Sequence, residues 1–225
     1  MRLFFATVFL FYFFLGFGQS YIIDYGVKSY PRDISKLPEV LKRDREYLKE
    51  RQKSSKRTKV YQLRHVNGHS VYSAQYSTLE GVKEYSSLSD DMVIYKDFTE
   101  GCFIQTGKLV GKDQAVKEYF DEFFDWAVIQ ESDTLIAGFH CKKATTHFRN
   151  GMIAAWFTEA IPIMDGPGLF AGVPGLILQL QSNWGVTEVM NIQVVENTKN
   201  PVVLPKVKKY VSFKQFLRDR IKYLD

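Results

Sequence analysis

The stretch AWFTEAIPIMDGPGLFAGVPGLIL, residues 155–178, departs most from a generic sequence. It opens on an aromatic run around Trp156 and closes on an apolar run that starts at Leu176, and both patterns are typical of strands. Glycine permits positive φ and close backbone approach, whereas proline fixes φ and donates no backbone hydrogen bond. The composition therefore predicts a sharply turned loop between a Trp-bearing strand and a buried strand, built on Pro162, Gly166, Pro167, Gly168, Gly172, Pro174 and Gly175.

The residues of this loop support two interpretations. In the first, the loop is a structural turn that seats Trp156 and Phe170 in the core. In the second, it docks a ligand or a partner. Asp165 is the carboxylate within the loop, and we expect it to accept hydrogen bonds from the loop's own backbone N–H groups. A phosphate-binding loop is not indicated, because no Lys-Ser/Thr pair follows the glycines and a strand comes next.

Short β-branched and aromatic runs, separated by turn residues, extend outward from this loop in both directions. Short connections favour antiparallel pairing, because parallel strands need long crossovers. The sequence thus predicts a mainly β fold: a curved antiparallel sheet or half-barrel meander with one charged N-terminal and one amphipathic C-terminal flanking helix. The expected strands are 20–30, 59–64, 70–76, 92–98, 102–108, 125–130, 134–144, 152–161, 176–181 and 187–195, and the expected helices are 39–53, 115–124 and 206–225.

The N-terminus has the pattern of a cleavable secretory signal peptide. Arg2 precedes thirteen residues, Leu3–Leu15, that only Thr7 interrupts, and this run is shorter than the ~20 residues that span a bilayer. Gly16 and Gly18 place small residues at −3 and −1 of a cut before Gln19. We therefore expect a signal peptide over residues 1–18 and a single β-rich domain over 19–225, with no transmembrane span after cleavage; an uncleaved N-terminal anchor is the alternative.

The mature chain contains two cysteines, Cys102 and Cys141. An even pair in an exported chain predicts a disulfide, with a thiol–metal site or two free thiols as alternatives.

The net charge of +5 hides an uneven distribution of basic and acidic residues along the chain. Residues 20–64 carry 13 Lys/Arg against 6 Asp/Glu, residues 65–198 carry 8 against 17, and residues 199–225 carry 8 against 2. The basic ends either fold back onto the acidic middle or form a surface for acidic polymers or lipid head groups. Nucleic acid is not an expected partner, because export and the lack of a recognisable basic and aromatic module argue against it.

The side chains that carry chemistry form no motif of a known reaction. His65 and His69 are four apart but flank an Asn-Gly turn, while His140 and His147 lie near Cys141. A metal site from these groups is one hypothesis, and solvated histidines are the other. The acidic clusters lie near turns, and the sequence contains neither a serine elbow nor an HExxH motif, so no catalytic residue and no cofactor is assigned.

Residues 155–178 resemble the GLPGLI family, exported proteins of Bacteroidota whose pattern reads AWYT…IP…GP…F.GLPGLIL. Residues 136–144, IAGFHCKKA, are similar to the family's I.GYKCKKA strand, and Trp126-Ala127-Val128 to its preceding W.I. The chain departs from the pattern at Ala160, where proline often follows the aromatic strand, at Val173, where leucine is usual, and at Arg149-Asn150-Gly151, which inverts a Gly-Arg turn. The resemblance is strong over about residues 125–181 and weaker over the remaining mature chain.

This resemblance implies an exported protein, periplasmic or associated with the outer membrane or extracellular, of a family without an established role. The leading hypothesis is a non-catalytic binding or envelope-assembly protein that takes an envelope protein partner or an apolar ligand. A metal-handling envelope protein that uses the histidines and cysteines is the second hypothesis. A hydrolase that uses carboxylates around the loop is the third.

Overall fold

The computed structural model describes residues 19–31, 39, 43–79, 81–84, 92–109, 112–149, 151–195 and 201–222. The predicted signal peptide, including Gly18 of the predicted cleavage site, lies outside these residues; Gln19 is the first described residue. The described residues form three helices, α1 Arg45–Lys56, α2 Phe120–Phe123 and α3 Phe213–Lys222. The strands are β1 Ser20–Ser29, β2 Thr58–Val66, β3 His69–Leu79, β4 Val82–Glu84, β5 Val93–Asp97, β6 Cys102–Leu109, β7 Lys112–Tyr119, β8 Ala127–Ile136, β9 Phe139–Phe148, β10 Gly151–Thr158, β11 Leu176–Gln181 and β12 Gly185–Val195.

The twelve strands form one open sheet in the order β7-β6-β5-β3-β2-β1-β12-β11-β10-β9-β8, and β4 pairs with β3 beside this path. The pairs between these strands are antiparallel. Two meanders of neighbouring strands, one from each half of the chain, meet where β1 pairs with β12 from Ser20↔Val195 to Ser29↔Gly185. The predicted antiparallel, mainly β fold is confirmed.

The sheet curves strongly around an aromatic core. Phe103 on β6 and Phe148 on β9 are eight strand-to-strand steps apart, which in a flat sheet is roughly 38 Å. Yet the ring of Phe123, on α2, has its centroid 5.0 Å from that of Phe103 and 5.9 Å from that of Phe148. Both wings of the sheet therefore bend toward α2, and their inward side chains bury one another.

The C-terminal segment covers one edge of the sheet. Val211 forms a parallel bridge with Val116 on β7, and the backbone N–H of Phe213 donates to the Glu118 carboxylate at 2.6 Å. The rings of Phe213 and Phe216 are buried in the aromatic core. The predicted C-terminal helix exists, but it begins at Phe213 and not at Lys206, because Val211, just before it, pairs with β7.

Two local predictions are wrong. Residues 115–124 are helical only over Phe120–Phe123: their first half belongs to β7, which pairs with β6 along its whole length, and sheet pairing overrides the helical spacing there. The β8–β9 hairpin turns at Ala137-Gly138, where both φ angles are positive, and not at residues 131–133. Those polar residues instead lie within β8, where its register with β9 shifts between Ile129 and Thr134.

The predicted disulfide is not formed. Cys102 and Cys141 are free thiols, and both are buried. Cys102 starts β6, one strand from the β7 edge, and Cys141 lies on β9, one strand from the β8 edge. Burial raises the pKa of both thiols, so both are held in the protonated form that packs as a small apolar group.

Within the described part of the chain, no helix has the length and apolar character needed to cross a membrane.

Candidate functional site

The loop between β10 and β11, residues 159–175, which we call the signature loop, is anchored by one buried carboxylate. Asp165 Oδ1 lies 2.6 Å from Nζ of Lys96 on β5, and Asp165 Oδ2 lies 2.8 Å from Nδ1 of His65 on β2. The side chains of Lys96 and Asp165 are 0% exposed, and that of His65 is 8% exposed. The loop of the C-terminal half is thereby fixed to two strands of the N-terminal half.

Every charge in this buried cluster has polar partners. The Lys96 ammonium also donates to the carbonyl oxygens of Gly166 and Phe170, the latter at 3.3 Å. The backbone N–H of Gly166 donates to Asp165 Oδ1 at 2.7 Å, which confirms the expected capping role of Asp165. An ionised carboxylate only accepts hydrogen bonds, so Nδ1 of His65 carries a proton. Pairing and hydrogen bonding together offset the penalty of burying these charges.

The protonation of the pair follows from these contacts. Burial alone would raise the pKa of the Asp165 carboxyl group, but the Lys96 ammonium and the hydrogen bond from His65 outweigh it, so this pKa lies well below its ordinary value. Burial lowers the pKa of the Lys96 ammonium, and the Asp165 carboxylate opposes that shift. Because the carboxylate is fully enclosed by protein, we assign it to holding the loop and not to contact with a substrate.

Further contacts give the signature loop a single shape. The N–H of Ile177 donates to the Asp165 carbonyl at 2.9 Å, and the hydroxyl of Tyr25 donates to the Ile177 carbonyl at 2.6 Å. The indole N–H of Trp126 donates to the Ala171 carbonyl at 2.9 Å. A Cβ at Gly166 would meet Ile177 Cβ at 2.8 Å, so only glycine permits this close packing of loop on strand.

A groove of about 490 Å³ opens beside one end of the signature loop. One wall consists of Gln19 and the start of β1 together with the end of β12, including Tyr21 and Val194. The other wall consists of the β8–β9 turn and the first residues of the signature loop, including Phe139 and Ile161. None of the described side chains that line the groove carries a charge, and most are apolar.

The β12 wall of the groove is a strand edge. β11 pairs with β12 only from Gln179↔Glu188 to Gln181↔Val186, whereas β12 continues to Val195. Residues 189–195 pair with β1 on one side. On the other side, toward the groove, the strands described in the structure provide these residues with no partner. A row of backbone N–H and C=O groups thus borders an apolar groove.

Comparison with known proteins bears on the loop and on the fold. Residues 126–179 match the family model described as "Protein of unknown function (Porph_ging)". This Porph_ging segment runs from Trp126 to Gln179 and contains the whole signature loop with its anchor Asp165. No curated protein matches the chain.

Two solved structures of PNGF-II, in space groups C2 and P21, are similar in fold to this chain. Their TM-scores are 0.55 and 0.51 at 11% and 14% sequence identity, and the matches cover 91% and 80% of this chain. The chain spans only 33% and 29% of the two PNGF-II chains, about a third of their length. At such identity the likeness concerns the fold alone.

The residues that the sequence predicted for the loop lie together within the Porph_ging segment. Asp165, Gly166, Pro167 and Leu176 are buried, and Phe170 packs against the rings of Phe124 and Phe148 at 5.2 and 5.3 Å. Trp156 is half-buried beneath the ammonium of Lys143. Of the remaining predicted loop positions, Gly175 is buried, and Pro162, Gly172 and Pro174 are exposed. Gln19, the predicted first residue of the mature chain, lines the groove.

The four candidate metal-binding histidines lie apart. His65 binds the buried Asp165, His69 lies 3.5 Å from Asp97, and the exposed His140 lies 2.9 Å from Asp133. His147 is an exposed residue of β9. Within the described ranges, no three His, Cys, Asp or Glu side chains are grouped as a metal site.

Lys96 and the role of His65 are the functional features that sequence reasoning missed. A signal for Lys96 exists: on a strand, residues two apart share a face, so Lys96 points to the same side as the buried Ile94. A buried lysine requires a buried carboxylate. The sequence contains no local sign that Asp165, 69 residues away, is that carboxylate.

The ion pair predicts a pH dependence of stability. An aspartate has an unfolded-state pKa of about 3.9, and that of folded Asp165 is lower. Its contribution is therefore complete above about pH 4 and is lost as the pH falls toward the folded-state pKa. In urea unfolding, the wild type should lose stability below about pH 4 more steeply than Asp165→Asn. The exposed Asp133 provides a control: Asp133→Asn should retain the wild-type slope, and an equal slope in all three proteins would contradict the assignment.

Proposed function

We propose that this chain is an exported, non-catalytic binding protein of the bacterial cell envelope, of the GLPGLI kind that its sequence resembles. In this proposal the groove beside the signature loop is the binding site, and an apolar segment of an envelope partner is its ligand. The observation that carries the proposal is the groove itself, because a large opening lined mainly by apolar side chains and bordered by unpaired backbone groups marks a site of interaction.

The architecture around the groove supports this role. The concave side of the sheet is filled by its own aromatic side chains. The groove lies at its rim, where the exposed side chains of Met190 and Val194 face solvent. Ile161 of the opposite wall belongs to the signature loop, so the buried Lys96–Asp165 pair also determines the position of one groove wall.

The test is the binding of N-phenyl-1-naphthylamine, an uncharged apolar fluorophore. Binding to the wild type should increase the fluorescence of the fluorophore. Val194→Asp should weaken this binding by about tenfold, because the bound fluorophore would bury the unpaired carboxylate of the new aspartate. Val194 is 60% exposed, so this variant should fold normally. A second cavity, of about 60 Å³ beside Trp184, is too small for the probe.

Val203→Asp is the matched control, because Val203 is 73% exposed and does not line the groove. It should bind the fluorophore as the wild type does. Equal binding by all three proteins, or no binding by the wild type, would reject the groove as the site.

A further inference from the structure

We infer that the groove binds its partner as an added β-strand, through backbone hydrogen bonds to residues 189–195 of β12. This inference rests on the proposed function and names the form of the ligand: an uncharged extended peptide segment of the partner. The chemistry of recognition is main-chain pairing for affinity and alternate side chains for specificity.

The open edge of β12 distinguishes a peptide from other apolar ligands. The exposure of Met190 and Val194 leaves the groove side of residues 189–195 accessible to water in the free protein, where their N–H and C=O groups have no partner among the described strands. A lipid chain or another apolar molecule in the groove would displace this water and offer no hydrogen bond in return, which leaves buried polar groups unpaired. An extended peptide replaces the water with backbone donors and acceptors at the spacing of a strand.

The groove wall that contains Phe139 and Ile161 excludes a partner wider than a single strand. The groove is bounded on the side opposite β12 by Phe139 and Ile161 of the same chain. A strand of a second copy would bring its whole sheet to this edge, and the Phe139–Ile161 wall stands where that sheet would continue. A single extended segment, with β12 on one side and side chains on the other, fits this arrangement.

The side chains around the groove determine the sequence pattern of the ligand. Alternate residues of an added strand point to opposite faces of the sheet, so every second side chain enters the groove. Those side chains meet Tyr21, Val189 and Ile192, which are apolar or aromatic, and no charged group lines the groove among the described residues. The inference therefore predicts an uncharged ligand segment with apolar residues at every second position, over about the seven residues of the open edge.

The experiment is selection of peptides from a displayed library of random nine-residue sequences on the purified protein. Enriched peptides are then synthesised in three forms: unmodified, and N-methylated at either of the two alternating sets of residues. N-methylation removes backbone donors and keeps the side chains. We expect enriched sequences with apolar residues at every second position, and a loss of affinity of about tenfold or more when one set is methylated, with little effect from the other.

Val194→Asp and Val203→Asp separate the possible outcomes. The expected peptides lose binding to Val194→Asp and keep binding to Val203→Asp. Peptides that depend on Val194 but bind equally well in both methylated forms would overturn strand addition and leave the groove as the binding site. If the enriched peptides bind Val194→Asp as well as they bind the wild type, both the strand-addition inference and the proposed function are overturned.

Discussion

Replacing Lys96 by methionine should lower the free energy of unfolding by about 3–5 kcal/mol, because it leaves the buried Asp165 carboxylate without its cation. The ammonium has no exposed surface and donates to three oxygens, so water cannot take its place. Urea unfolding monitored by far-UV circular dichroism measures the change. The double variant Lys96→Met/Asp165→Asn should lose less than the sum of its two single changes, because it removes both charges together.

The ion pair of Lys142 with Glu159 is the control for this prediction. Its Nζ–Oε1 distance is 2.9 Å, but the two side chains are 46% and 52% exposed. An exposed pair contributes about 1 kcal/mol or less, so Lys142→Met should have a small effect. If Lys96→Met and Lys142→Met destabilise the protein equally, the buried cluster does not anchor the signature loop.

Gly175→Ala is the second change for which we expect a large effect. Gly175 has a φ of 152°, and a Cβ built there would lie 2.2 Å from the carbonyl oxygen of Thr158. This neighbour is backbone of β10, which cannot rotate away as a side chain does. Overpacking and backbone strain together should destabilise the protein by about 3–5 kcal/mol, as measured by urea unfolding.

Gly168→Ala is its matched control in the same loop. Gly168 has a φ of 63°, and no atom lies within 4 Å of the Cβ position. This change introduces only the strain of a left-handed alanine, about 1–2 kcal/mol. A destabilisation by Gly175→Ala no larger than that by Gly168→Ala would show that the close approach of loop to β10 is not required.

Alternation and turn residues predicted most of the strands, since these signals are local. β11 has the expected bounds, Leu176–Gln181, because a short apolar run lies between a proline-glycine turn and polar residues. The errors arise where a distant partner decides the structure. Residues 115–119 have helical spacing, but β6 is already in place to pair with them. The Ala137-Gly138 turn lacks a strong turn dipeptide, while the more polar residues 131–133 form an irregularity within a strand.

The candidate site was predictable only in part. The glycines and prolines predicted a loop of specified shape, and the hydrogen bond from Gly166 N–H to Asp165 was expected from the carboxylate's position. The partners of that carboxylate on β2 and β5 were not predictable, because they depend on how the sheet curves. The groove was not predictable either, since it exists only where β11 and β12 stop pairing.

The pairing of β1 with β12 has a consequence for the order of folding. Ser20 pairs with Val195, so the first described strand has to wait for a partner that is synthesised only after β2 to β11. The search for such a distant partner makes folding slow, and a chain that is still growing carries β1 paired on one side, with β2, but without its other neighbour β12. A nascent chain that has not reached β12 therefore lacks the β1–β12 pairing that joins the two meanders. Neither meander can become part of the complete native sheet before β12 is synthesised.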